Sequence, residues 1–173
     1  DLLEIEARLT DVRYELENYA SQLRLYDNQV DYAGVAQLTR MLVDKGVNCL
    51  YPCGTTGEMF RLSVEERKKI AKTVVEAANH EVTVFIHCGA MNQEDTIELV
   101  RYSQEVGADG AGVVTPIFFT ANEREMEEYY VAVASAVPDF PIYLYNIPQC
   151  ASNDLKTAVA QRVAKRCSNV IGI

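Results

Sequence analysis

The sequence predicts an α/β fold with a parallel sheet of about five β/α units, preceded by a separate helix of different character. Three observations carry this. From Asp31 onward short apolar runs alternate with amphipathic stretches. The runs recur at roughly the thirty-residue period of β/α units. Residues 1–29, by contrast, keep a heptad period.

In the opening segment Leu2, Ile5, Leu9, Val12, Leu16, Tyr19, Leu23 and Tyr26 recur at alternating steps of three and four, with charged residues between them. This is the seam of a coiled-coil helix. Such a seam needs a partner helix, and the chain offers no second heptad run, so the partner is another copy, another protein or further sequence. The period changes between Asn28 and Asp31, which divides the chain into a heptad-patterned helix over 1–29 and an α/β region over 30–173.

In the α/β region the expected strands are Asn48 to Pro52, Val82 to His87, Gly112 to Thr115, Ile142 to Tyr145 and Val170 to Ile173. Helices fill the gaps. The one after the first strand opens with Ser63-Val64-Glu65-Glu66, a capping box in which the serine and the second glutamate each satisfy an orphan amide. The next runs from Asn92 to a stop at Gly107, a third starts near Asn122 and ends before Pro138, and a fourth covers Asn153 to Arg166. Alternating strands and helices imply parallel strands joined by right-handed crossovers. Periodicity leaves two arrangements open, a doubly wound open sheet and a partial barrel.

Composition narrows the partners. The formal charge is -9, which disfavours nucleic acid and anionic membrane surfaces at long range. Five cysteines, an odd number with no CxxC pair, point to neither a disulfide framework nor a zinc site. Reduced thiols, the lack of an apolar stretch near 18 residues and an acidic start without a signal-peptide pattern place the expected home in the cytoplasm.

Two motifs carry chemistry. Gly54-Thr55-Thr56-Gly57-Glu58 directly follows the first strand, where two glycines flanking two hydroxyls can wrap backbone amides and threonine oxygens around a carboxylate. Taken alone, an ordinary turn with an incidental threonine pair reads slightly better. Neither a Walker loop nor a GxGxxG is present. The second motif is Tyr143-Leu144-Tyr145-Asn146-Ile147-Pro148, in which alternation sets both tyrosines on one face. His87 closes a strand at its carboxyl end, where packing outweighs a role in a pocket. His80 reads as a solvated loop residue, Cys49 and Cys53 as small buried apolar groups, and the acidic run from Asn122 to Glu128 as a helix start.

Taken together in order, GTTGE, Val113-Val114-Thr115-Pro116, YNIP and Asn169-Val170-Ile171-Gly172-Ile173 resemble the dihydrodipicolinate synthase and N-acetylneuraminate lyase family over about residues 30 to 173. The resemblance implies a TIM (β/α)8 barrel, here partial, and a homo-oligomer, usually a tetramer. It implies a lysine that forms a Schiff base with pyruvate or another 2-oxo acid, with no further cofactor and no metal. Carried over by position, Thr55 and Thr56 with Gly54 bind the pyruvate carboxylate, Thr55 also relays protons, and Tyr145 is the general acid/base. The lysine would follow Gly172-Ile173, and the first barrel strand would stand where the heptad sequence runs into Asp31-Tyr32. Lys45, Lys68, Lys69, Lys72, Lys156 and Lys165 all fall in expected helices. Without the imine there is no electron sink for carbon-carbon chemistry, so this chain alone is expected to be inactive.

Two departures from the synthase branch concern the second substrate. Phe118 stands where that branch relays a proton through tyrosine, and Cys150 stands where it holds a second carboxylate with arginine. The resemblance therefore implies a lyase or aldolase acting on a 2-oxo sugar acid rather than dihydrodipicolinate synthase itself. A competing reading is a non-catalytic oligomerisation or scaffold protein built on the coiled coil, and a third is a join of unrelated sequences near Asn28 to Asp31.

Overall fold

The computed structural model describes residues 30–173, and the expected heptad helix lies outside them. Within the described residues the elements are α1 (Tyr32–Asp44), β1 (Cys49–Leu50), α2 (Val64–Ala78), β2 (Thr83–His87), α3 (Gln93–Glu105), β3 (Gly110–Val114), α4 (Glu123–Ser135), β4 (Ile142–Tyr145), α5 (Pro148–Ala151), α6 (Thr157–Arg166) and β5 (Val170–Gly172). The five strands are parallel and lie in sequential order, β1-β2-β3-β4-β5. A doubly wound sheet reverses its strand order at a switch point, and this sheet does not. Successive helices pack on one another as well, α1 on α2, α2 on α3, α3 on α4 and α4 on α6.

The two faces of the sheet separate by strand alternation. On one face Val84, Ile86, Ala111, Val113, Ile142 and Leu144 are buried beneath the helices. The helices answer with apolar stripes at three- and four-residue steps: Ile70, Ala71 and Val74 on α2, Leu99 and Val100 on α3, Met126, Tyr130, Val133 and Ala134 on α4, and Val159 and Val163 on α6. The other face carries Phe85, His87, Gly110, Gly112, Tyr143, Tyr145 and Gly172. In a flat sheet β1 and β4 would be about 14 Å apart, three strand spacings. Yet the rings of Tyr51, just past β1, and Tyr145 on β4 have centroids 5.9 Å apart, so the sheet bends around this face.

Glycines make the bend crowded rather than hollow. A methyl group on Gly110 would strike the Phe85 ring, one on Gly112 the Tyr51 ring and hydroxyl, and one on Gly172 the Tyr143 ring. Each large ring therefore lies over a glycine on another strand, and Phe85 and Tyr143 meet at 5.2 Å.

Helix starts follow the sequence closely. Ser63 accepts from the Glu66 amide while the Glu66 side chain accepts from the Ser63 amide, the expected capping box. Asn122 and Glu125 form a second one, and Asn92 accepts from the Asp95 amide. Gly107 closes α3 at φ +85°, a conformation that favours glycine.

Several details differ. The strand expected from Gly112 starts at Gly110, because Phe85 covers a glycine that reads locally as loop. β1 is two residues long rather than Asn48 to Pro52, though its pairing with β2 continues on both sides: Thr83 donates to Asn48 and His87 to Pro52. The fourth expected helix begins at Thr157, not Asn153. The Asn153 side chain is buried and spans a loop instead, donating to the carbonyls of Pro116 and Phe119 and accepting from the Ala121 amide. Finally Lys45 lies in the turn after α1 and Lys156 caps α6, so these two lysines sit beside helices rather than in them.

Candidate active site

The loop after β1 turns sharply. Cys53 and Glu58 both adopt left-handed backbone, at φ 60° and 51°, and bracket Gly54, Thr55, Thr56 and Gly57. The Glu58 amide donates to the Thr55 carbonyl at 3.1 Å. A Cβ on Gly57 would come within 3.2 Å of the Cys53 amide nitrogen, so the loop folds back on itself at a point only glycine fits well. Gly54 is buried against the Tyr51 ring, whereas Thr55 and Thr56 are exposed.

Across the bent face, β4 ends at Tyr145. Its hydroxyl lies 3.4 Å from the Thr55 hydroxyl. Two residues ninety positions apart are thus brought together at the carboxyl ends of parallel strands, where such folds build their sites. The structure joins Thr55 and Tyr145 directly, sets Thr56 beside them on the same loop, and leaves Gly54 beneath as a packing contact of Tyr51.

Next to this pair opens a cavity of about 280 Å³, lined by Thr55, Glu58, Met59, Val114, Ile147 and Cys150 among others. Cys150 is exposed at its rim on α5, a short helix that opens with Pro148. Glu58 and Arg61, the charged residues of the lining, bond to each other at 2.8 Å. No lysine lines this cavity. Lys68 pairs with Glu65 and Glu98, Lys69 lies over the Tyr32 ring, Lys72 pairs with Glu76 and Lys156 with Asp154. Phe118 is exposed on the loop after β3 in left-handed backbone, φ 73°.

Beneath Tyr145 the site has a floor that the motifs did not announce. His87 is fully buried, and its ring packs edge-on against both Tyr145 and Tyr51. Neither ring nitrogen has a hydrogen-bond partner among the described residues. Burial first, and the Arg67 charge second, hold the imidazole pKa down at about 3; the Cys53 backbone opposes this without reaching good hydrogen-bond geometry. His87 is therefore neutral at physiological pH.

Arg67, buried on α2, donates to the His87 carbonyl at 2.8 Å and to the Gly89 carbonyl at 2.9 Å, pinning the end of β2. Burial also pushes the Cys53 thiol up, with Arg67 opposing. A signal for Arg67 was present in the sequence. It occupies the apolar stripe of α2, with Ile70, Ala71 and Val74 following at helical steps, where an arginine needs a buried partner. Tyr51 had only its alternation within the expected first strand, Asn48 to Pro52, to mark it.

Comparison with known proteins gives one consistent picture. The model of the dihydrodipicolinate synthetase family matches residues 25–173. The chain is 37% identical over 147 residues to the putative 2-dehydro-3-deoxy-D-gluconate aldolase YagE of Escherichia coli, covering 85% of this chain and 48% of that protein. It is 39% identical over 142 residues to the 4-hydroxy-tetrahydrodipicolinate synthase of Prochlorococcus marinus, covering 82% and 47%. Among solved structures, Escherichia coli YagE in complex with pyruvate superposes with a TM-score of 0.80 at 37% identity, over 84% of this chain and 48% of that one. A catalytic lysine mutant of the Ruminococcus gnavus sialic acid aldolase gives 0.79 at 34%, over 82% and 46%. The chain spans about half the length of the curated relatives it matches.

Proposed function

The chain belongs to the dihydrodipicolinate synthetase family, and we propose that it carries the pyruvate-binding part of a carbon-carbon lyase or aldolase that acts on a 2-oxo acid through a Schiff base. One observation carries this reading: the hydroxyls of Thr55 and Tyr145 stand 3.4 Å apart beside a cavity at the strand ends. Thr55 and Thr56 hold the substrate carboxylate, Gly54 lets the loop approach it, and Tyr145 moves the proton at the reacting carbonyl. Support comes from the pyruvate complexes of YagE and of the Acinetobacter baumannii dihydrodipicolinate synthase.

The bent five-stranded sheet is read as an arc of a (β/α)8 barrel. The covalent step needs an amine at the mouth of that barrel, where a protonated imine draws electrons from the bond being made or broken. The six lysines of this chain sit on helices or beside them, and none lines the cavity. The 173-residue chain alone therefore does not form the imine. Cys150 at the cavity rim, and the self-paired Glu58 and Arg61, leave no free cation there for a second carboxylate among the described residues. This favours an uncharged carbonyl fragment, such as that released from a 2-oxo sugar acid, over an amino-acid semialdehyde.

Borohydride trapping with labelled pyruvate tests the assignment. The chain of 173 residues incorporates no label, and a folded form lengthened to the span of its relatives incorporates about one pyruvate per chain. A folded lengthened form that incorporates none overturns the lyase reading.

A further inference from the structure

The hydroxyl contact between Thr55 and Tyr145 is too long to fix either group. At 3.4 Å it exceeds the usual O–H···O separation of about 2.7–2.8 Å. Something else must set the angle of the Tyr145 ring. Three rings close on one another here: Tyr51 to His87 at 5.9 Å, His87 to Tyr145 at 5.7 Å and Tyr51 to Tyr145 at 5.9 Å, with interplanar angles of 80°, 80° and 83°. Every pair is edge-to-face, the arrangement that aromatic quadrupoles favour.

The triangle is built by residues from three strand ends and one gap. Gly112 is the register partner of His87 on β3, and its missing side chain is the space into which Tyr51 extends. His87 forms the buried corner, and Arg67 fixes its backbone carbonyl from the helix side. A protonated imidazole would put an unpaired charge under Tyr145, and burial together with Arg67 keeps the ring neutral. Its nitrogens bond to nothing among the described residues, so the ring acts through shape and not through proton exchange.

We infer that His87 and Tyr51 are positioning residues that aim the Tyr145 hydroxyl at Thr55 by ring packing, with Gly112 as the clearance that makes the packing possible. This rests on the reading of Tyr145 as the acting hydroxyl.

The test uses the 173-residue chain with its tyrosines labelled with carbon-13 at both Cε positions, which ring flipping exchanges, and Tyr145→Phe assigns the signals. His87→Ala and Gly112→Ala each displace the Tyr145 signal and speed its ring flipping at least about tenfold, the first by removing a corner of the triangle and the second by expelling Tyr51. His87→Phe, which keeps a ring and discards both nitrogens, restores the native signal. The signals of Tyr129 and Tyr130, on α4, report folding in every variant, and Gly112→Ala decides alone if His87→Ala does not fold. A Tyr145 signal unmoved by both alanine variants overturns the inference, as does a His87→Phe signal displaced as far as that of His87→Ala. Failure of the native chain to bind pyruvate would count against the proposed function and leave this readout intact.

Discussion

The two faces of the sheet solve opposite problems with neighbouring residues of the same strands. On the helix-covered face of β2, Val84 and Ile86 are buried among other aliphatic side chains. On the bent face of the same strand, Phe85 and His87 stand among tyrosines and glycines, and both His87 nitrogens are left without a partner. Aliphatic close packing fixes one face. The other face trades packing for placement. Rings laid over glycines bring the Tyr145 hydroxyl to 3.4 Å from that of Thr55, and the His87 nitrogens go unsatisfied beside them.

Breaking each face should give different kinds of loss. The largest expected effect on stability is Ile86→Ala, which empties a fully buried position and lowers the unfolding free energy by about 2–5 kcal/mol in urea denaturation. Tyr145→Phe, one face away, should stay within about 0.5 kcal/mol of the native chain because the ring contacts survive and only a half-exposed hydroxyl is lost. Comparable losses from the two substitutions would mean that the faces are not functionally divided.

A smaller effect sharpens the same contrast through pH. The His87 pKa is held near 3 in the folded state against an ordinary value of 6.5, so the unfolded chain binds the extra proton first as pH falls. Its contribution is complete above pH 6.5 and is lost on the way down to 3, at up to about 1.4 kcal/mol per pH unit. The carboxylates of Glu66, Glu81, Glu127, Glu128 and Asp154 are held below their ordinary values, 4.5 for the glutamates and 3.8 for the aspartate, and lose their contribution further down. Urea midpoints at pH 6.5 and pH 5, compared between the native chain and His87→Phe, therefore separate His87, which faces Arg67, Tyr51, Tyr145 and Cys53. The native chain should lose more stability over this interval than His87→Phe, whose remaining loss comes from the carboxylates; equal slopes would show that His87 is not held neutral by the fold.

The parts of this molecule legible in the sequence are those written by local rules. Capping residues Ser63, Asn92 and Asn122 and the stop at Gly107 stood where their chemistry placed them, since each acts on its own helix end. The placement of Thr55 and Tyr145 at strand ends followed from their motifs, and their hydroxyls lie 3.4 Å apart. What escaped depends on long-range contact. Asn153 reads as a helix start from its neighbours, yet its amide is used by a loop more than thirty residues away. Gly110 and Gly112 look like turn residues until Phe85 and Tyr51 are laid over them. Tyr51 and Arg67 acquire their contacts with His87 only when β1, β2 and α2 meet.

The measurement that bears most directly on the central claim is a titration of the 173-residue chain with pyruvate, followed by NMR at Thr55 and Tyr145. Both sets of resonances should move together along one binding curve, Thr55→Val should weaken that curve at least about tenfold through loss of a carboxylate hydrogen bond, and signals from the helix-covered face should stay still. Pyruvate that leaves Thr55 and Tyr145 unmoved, or that binds Thr55→Val as well as the native chain, would contradict the account.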